Sequence, residues 1–166
     1  MTVPVVPAQQ RHVDEICRIC SDGWRETYTG LLPDEEIETT IDEFYTTERV
    51  AKEVRSPDGW DGWLVALHDE DVLGAGGGGL TEPTVGEVFV LYVDPAEKRK
   101  GVGSRLLETM TAQQRNKGAT EQWVSIVPSN EIGKSFYRKH GFEVVGEREA
   151  YGDSSDRNSL RLRRSL

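Results

Sequence analysis

Only 2 cysteines and 2 methionines occur among the 166 residues, and the longest unbroken apolar run is Val88 to Val93. Two cysteines cannot build a disulfide scaffold in a domain of this size. A run that short falls far below the roughly 20 residues that a bilayer span needs. The N-terminal stretch MTVPVVPAQQRHVDE has no cationic start followed by an apolar stretch, so nothing resembles a secretory signal. A cytoplasmic location away from membranes is the expectation. Positive charge is also scarce: 20 Lys and Arg stand against 29 Asp and Glu, a formal net charge of -9. That balance argues against a nucleic-acid partner, because phosphate neutralisation needs clustered cations. Repeats, low-complexity tails and linkers are lacking too. The length, with 36% hydrophobic and 30% charged residues, suits one domain over residues 1–166.

The charge is unevenly spread. Residues 1–86 carry 6 basic and 18 acidic side chains, whereas residues 87–166 carry 14 and 11. Either the surface is simply acidic, or a site has two unlike halves, the first drawing a cation and the second an anion.

Hydrophobic periodicity sets out the elements. Val3 to Val6 reads as a short strand ending at Pro7. From His12 to Tyr28 the residues Val13, Ile16, Cys17, Cys20, Trp24 and Tyr28 recur at spacings of three and four, one helical stripe that Gly30 ends. Pro33 and Asp34 open a second helical region that runs on to Val54. Trp63 to Leu67 and Val72 to Leu80 read as a hairpin about the turn His68 to Asp71. Val88 to Val93 reads as a central strand buried on both faces. Val102 to Asn116 is a helix, Trp123 to Val127 a strand, and Glu131 to His140 a short helix ended by Gly141. Phe142 to Glu147 and Ser159 to Arg163 are final strands around the polar loop Gly152 to Asn158. The expected fold is α/β, a mixed central sheet of about seven strands flanked by about four helices.

One join carries chemistry. VFVLYV leads through DPAEKRK into the helix opening GVGSRLLETM. Lys98, Arg99 and Lys100 supply charge, while Gly101 and Gly103 allow close backbone approach. The helix start at Val102 to Ser104 offers unpaired N–H donors. Such a loop binds phosphate. It is not a P-loop, since no GK[ST] ending occurs. Gly74, Gly76 and Gly79 fit G-x-G-x-x-G, but TEPT and another strand follow instead of a helix, so a dinucleotide site is rejected. Gly76 to Gly79 instead marks a distorted strand approached closely by another backbone or a ligand, the former favoured.

These residues resemble the GNAT superfamily of N-acetyltransferases over about residues 60–150. The likeness lies in Glu87-Val-Phe-Val-Leu-Tyr-Val-Asp-Pro, the KRKGVG turn, and Asn130 followed by SFYRKHGF. A weaker likeness covers Trp24-Arg25, Tyr28 and Gly30-Leu31-Leu32-Pro33. Lys98 departs from the usual Gln or Arg, Arg99 from a frequent Gly, Gly133 from a common Ala and His140 from a common Leu or Met. The resemblance implies acetyl transfer from acetyl-CoA to a primary amine (a polyamine, another small amine or a peptide amine) by direct attack and without a metal. Residues 1–86 would mainly serve the acceptor and 87–166 the acetyl-CoA. It places the pantetheine arm against the backbone of Leu91, Tyr92 and Val93, the pyrophosphate against Arg99 to Ser104, and Asn130 beside the arm. An alkylammonium of pKa near ~10.4 is only about one part in a thousand neutral at pH 7, so a base is required. Glu87 stands where relatives carry one, acting through water; its other reading is a solvated carboxylate. Tyr137 takes the place of the family's general acid, or else only packs beside Phe136 and Phe142. Trp24 and Tyr28 either wall an acceptor pocket or pack in the core. Cys17 and Cys20 read as core packing, since redox pairs sit at a helix start and zinc needs a second pair. Oligomeric state is left open by the sequence; the segment Ser159 to Leu166 is a candidate for pairing across a homodimer, as in many relatives. Other classes compatible with the same residues are a non-catalytic acyl-CoA-binding sensor and a transferase of a different acyl group.

Overall fold

A computed structural model describes residues 3–97, 100–149 and 158–166. The chain runs β1 (Val5–Pro7), α1 (Val13–Tyr28), α2 (Asp34–Phe44), α3 (Thr47–Arg55), β2 (Leu64–His68), β3 (Asp71–Glu82) and β4 (Val85–Val93). It continues with α4 (Val102–Asn116), β5 (Glu121–Ile126), α5 (Glu131–Lys139), β6 (Glu143–Glu149) and β7 (Asn158–Ser165). The seven strands form one mixed sheet ordered β1-β2-β3-β4-β5-β7-β6, in which β4 and β5 are parallel and all other neighbours antiparallel. β4 is therefore central, as its composition predicts.

Most expected elements are present, with three differences that have physical causes. β1 starts later than Val3 and includes Pro7, which an edge strand tolerates because no partner needs its missing N–H. The second helical region is two helices. Tyr45 leaves helical geometry, and Thr46, extended, accepts the Arg49 N–H at 3.2 Å to cap α3. Five α-helices are thus described, one more than expected. Val88 to Val93 is not buried along its length: Val88 is 2% exposed but Phe89 is 41% exposed. The loop 152–158 lies outside the described residues apart from its last position.

Two apolar layers sandwich the sheet. On one face α4 packs Leu106, Leu107 and Met110 against Val88, Val124 and Leu162. On the other, α1 and α3 pack Ile16, Ile19 and Val50 against Val65 and Ala75. The α1 stripe differs slightly from expectation, with Ile19 and Gly23 on the buried face and Cys17 at its margin. Gly23 is required there, because a Cβ would lie 2.7 Å from the Tyr92 ring.

The glycine run in β3 admits backbone, as anticipated. A Cβ on Gly76 would stand 2.7 Å from the Val90 carbonyl oxygen, and one on Gly78 would collide with the Glu87 carbonyl oxygen. Because strand backbone cannot yield as a flexible side chain would, Gly78→Ala is expected to lower unfolding free energy by about 2–3 kcal/mol. Gly146→Ala, whose Cβ meets nothing within 4 Å, is expected to change it by less than about 0.5 kcal/mol. Urea unfolding of both variants checks the contrast.

Candidate active site

The site begins where two parallel strands part. β4 and β5 share four rungs, Val85↔Glu121 to Val88↔Val124, and no rung beyond them. β4 then continues to Val93, paired among the described residues only with β3. The register of β3 against β4 shifts between Gly77↔Val90 and Gly78↔Val88, leaving Phe89 as a bulged residue. An extra residue reverses the alternation of faces. Val88 faces α4, but beyond the bulge Leu91 and Val93 take that side, while Val90 and Tyr92 face α1. The backbone edge of Val90 to Val93 turned toward β5 has no ladder partner among the described residues, so its amides and carbonyls are open to a ligand.

A cleft of about 1050 Å³ occupies the gap. Its walls include Leu91, Tyr92 and Val93, and also Gly101, Val102, Gly103 and Ser104 at the start of α4. Gly101 caps α4 with φ 82°, a left-handed conformation suited to glycine, and its carbonyl accepts the Arg105 N–H at 3.1 Å. The amides of the first turn thus remain available. Gly103 lets the Phe136 ring close in, 3.3 Å from where a Cβ would be. Lys100 is exposed and pairs with Glu97 at 2.9 Å, and it does not line the cleft. Lys98 and Arg99 lie outside the described residues.

α5 supplies the opposite wall. Asn130 caps it, its Oδ1 accepting the Gly133 N–H at 2.9 Å, while its amide donates to the Tyr28 hydroxyl at 3.2 Å. Two turns on, Tyr137 reaches the cleft from between Phe136 and Phe142, with ring centroids at 5.0 and 5.2 Å. It is 6% exposed, and its hydroxyl makes no hydrogen bond among the described residues. Burial, and secondarily Tyr28, raise its pKa above that of an ordinary phenol, so it stays protonated at neutral pH.

Glu87 is placed differently. It is 2% exposed and does not form part of the cleft wall. Both carboxylate oxygens accept from Arg161, Oε2 from Nη1 at 2.9 Å and Oε1 from Nη2 at 3.1 Å. Arg161 Nη1 also donates to Ser125 Oγ at 2.8 Å, and its guanidinium lies over the Trp123 ring at 4.8 Å. The neighbouring side chain Ser125 does line the cleft.

Trp24 and Tyr28 line the cleft and are also packed into a small core with Ile37 and Ile41, their rings 4.4 Å apart. Sequence reasoning missed the far end of the cleft, where Glu43, Arg49, Glu53, Asp58, Trp60 and Phe89 gather. Trp63 donates to Glu53 Oε1 at 3.0 Å, and the Trp60 ring stands edge-on to those of Trp63 and Phe89. The paired tryptophans of SPDGWDGW were the available signal; α3 and the bulge that bring partners to them were not legible. Cys20 is buried and its thiol pKa is raised by burial, which leaves it a core side chain. Among the described residues no three metal-ligating side chains come together, and no helix is long and apolar enough to cross a membrane.

Comparison with known proteins agrees with this geometry. The Acetyltransferase (GNAT) family matches residues 18–142. The spermidine N(1)-acetyltransferase of Thermoplasma acidophilum is 28% identical over 150 residues, 87% of this chain and 90% of that protein. The mycothiol acetyltransferase of Streptosporangium roseum is 37% identical over 79 residues, 48% of this chain but 23% of that protein. Among solved structures, the PaiA N-acetyltransferase of Thermoplasma acidophilum in complex with coenzyme A superposes with a TM-score of 0.84 at 24% identity, covering 100% of both chains. A GCN5-related N-acetyltransferase from Rhodopseudomonas palustris gives a TM-score of 0.82 at 17% identity, over 100% of this chain and 97% of that one. With the family match running from within α1 to the end of the turn after α5, this chain belongs to the GNAT acetyltransferase family and is an N-acetyltransferase.

Proposed function

We propose that the protein transfers the acetyl group of acetyl-CoA directly to a primary amine of a small cationic molecule, with polyamines first among the candidates. One observation carries this reading. A single cleft joins an unladdered strand edge and the open amides of a helix start to an end lined by aromatic rings and by the carboxylates Glu43, Glu53 and Asp58, which outnumber Arg49, the guanidinium paired with Glu53 there. The first part fits an amide-bearing arm and a diphosphate, and the second fits an alkylammonium chain, since carboxylates and ring faces both attract cations. The similarity to a spermidine N(1)-acetyltransferase supports the same acceptor class.

In this reading the backbone of Leu91, Tyr92 and Val93 holds the pantetheine arm. Gly101 to Ser104 hold the diphosphate, and the run Lys98-Arg99-Lys100 that precedes them in the sequence adds positive charge to the loop, Lys100 sharing its own with Glu97. Asn130 fixes the α5 wall beside the arm, and Trp24 and Tyr28 bound the acceptor. The strand's free N–H groups face the thioester carbonyl and stabilise the oxyanion that forms on attack. Tyr137, protonated and with a free hydroxyl, donates to the departing sulfur. Glu87 receives the amine's proton through water, its carboxylate aligned by Arg161. The segment Ser159 to Leu166, expected to pair across a homodimer, instead forms β7, laddered to β5 on one edge and to β6 on the other, so it has no free strand edge for a second copy.

Each role has a measurable consequence. Tyr137→Phe should lower kcat by about 10²-fold or more while leaving coenzyme A affinity nearly unchanged in calorimetry; an unaltered kcat removes the acid role. Because burial raises the phenol pKa, the acid form persists as pH rises, and kcat should show no alkaline loss through the ordinary phenol range near ~10. Glu87→Gln should lose activity at pH 7 that returns as pH approaches the amine's own pKa. A loss equal at every pH would leave Glu87 only its ion pair with Arg161, and thermal unfolding must accompany the assay because an unpaired buried guanidinium is destabilising.

The acceptor is tested by thiol release from acetyl-CoA across an amine panel. Polyamines should show higher kcat/KM than neutral amines of similar length, the advantage shrinking as salt rises. No preference at low ionic strength overturns the cationic acceptor. Thermal stabilisation by acetyl-CoA without thiol release from any amine overturns transfer itself and leaves binding alone.

A further inference from the structure

Ser104, in the first turn of α4, lines the cleft. Its hydroxyl oxygen lies 3.0 Å from Nε2 of His140. His140 closes α5, its ring centroid 4.8 Å from that of Phe136, and its carbonyl accepts from Arg164 Nη1 at 2.7 Å. The imidazole is therefore held from the helix start and from its own helix, and the backbone that carries it from β7. A serine hydroxyl has one proton to give. Spent on Nε2, it leaves only lone pairs for an approaching anion. With the hydrogen on Nε2, the ring donates to Oγ and the hydroxyl proton is free for the ligand.

We propose that His140 is a positioning residue for the diphosphate of coenzyme A: its Nε2–H anchors the Ser104 oxygen so that the Ser104 hydroxyl proton points at the anion in front of the first turn of α4. This rests on the acetyl-CoA reading given above. It also gives a role to the residue that departs from the family's common Leu or Met. The charged groups around the ring are Arg164 on β7, Lys139 on α5 and Glu108 on α4. Burial lowers the ring's pKa first, Arg164 and Lys139 lower it further, and Glu108 opposes them. The ring is neutral near pH 7.5, where the choice of nitrogen decides what Ser104 donates. Binding an anion beyond Ser104 favours the imidazolium, so affinity should rise as pH falls.

Calorimetric titration of coenzyme A into four proteins and their combinations tests this. Ser104→Ala should weaken binding by about tenfold or more in the native background, the worth of one hydrogen bond to an anion, and less than about twofold in a His140→Phe background. His140→Gln, which keeps a donor, should retain affinity and the full Ser104→Ala cost. The extra gain in affinity on lowering pH from 8 to 6 should be present in the native protein and absent in His140→Gln, a comparison in which the ligand's own titration cancels. His140→Leu repeats the donor-free arm if the phenylalanine variant fails to fold. An equal Ser104→Ala cost with and without His140 overturns the inference, as does failure of His140→Gln to rescue. A native protein that gives no heat with coenzyme A overturns the acetyl-CoA reading first and this inference with it.

Discussion

The active site depends on β4 leaving β5 at one defined rung. Below that point the strands are locked by a buried polar network. Gln114 of α4 donates to the Glu87 carbonyl at 3.0 Å, and Gln122 of β5 donates to Gln114 Oε1 at 3.0 Å and to Thr111 Oγ1 at 3.1 Å. Arg164 of β7 closes it, donating to Gln122 Oε1 and Thr111 Oγ1, each at 2.9 Å. Both glutamines are 0% exposed, so each amide group must find its partner inside the protein. Gly78 and Gly86 make the room, since a Cβ at either would meet the Gln114 side chain. Just above, the Phe89 bulge turns the strand and the rungs stop. More rungs would close the cleft, and fewer would loosen its floor. Placing a satisfied polar network at the last rungs meets both demands.

The acidity of the first half has more than one cause. Arg25 takes Glu38 at 2.9 Å, and Arg18 takes Glu15 at 2.7 Å and Asp94 at 3.0 Å, on the surface. Asp34, Glu35 and Glu36 occupy the first turn of α2, where negative charge complements the helix dipole. Only Glu43, Glu53 and Asp58 of this half bring carboxylates to the cleft wall. Counting charge along the sequence therefore overstates the acidity of the site, while the aromatic rings beside those three carboxylates narrow what they attract.

Legibility followed the range of the interactions. α4 reads from the sequence with correct ends, because an amphipathic stripe and a Gly101 cap are local features. The join of β4 to α4 was likewise legible, as was the family resemblance it carries. The break at Tyr45 and Thr46 was not, since the acidic stretch around it looks continuous in periodicity. Least legible was the fate of Glu87. Its partner is 74 residues away on β7, where the alternation Leu160-Arg161-Leu162-Arg163 reads as a half-exposed strand. The leucines do face the core. Yet the opposite face is not simply solvated, because Arg161 reaches Glu87 and Arg163 pairs with Glu121 at 2.7 Å. Sheet order decides this, and sheet order is a long-range property.

A short series of contacts links the walls of the cleft. Asn130 has one oxygen committed to capping α5 and one amide committed to Tyr28 of α1. The Tyr28 ring in turn lies tilted against that of Trp24, with centroids 4.4 Å apart. α5 carries Tyr137 two turns beyond its cap, and Gly103 lets Phe136 of the same helix lie against the first turn of α4. One side chain thus ties α1 to the helix that bears the phenol, and Phe136 ties that helix to the start of α4. Ring packing and a single hydrogen bond thus connect Trp24, Tyr137 and the first turn of α4.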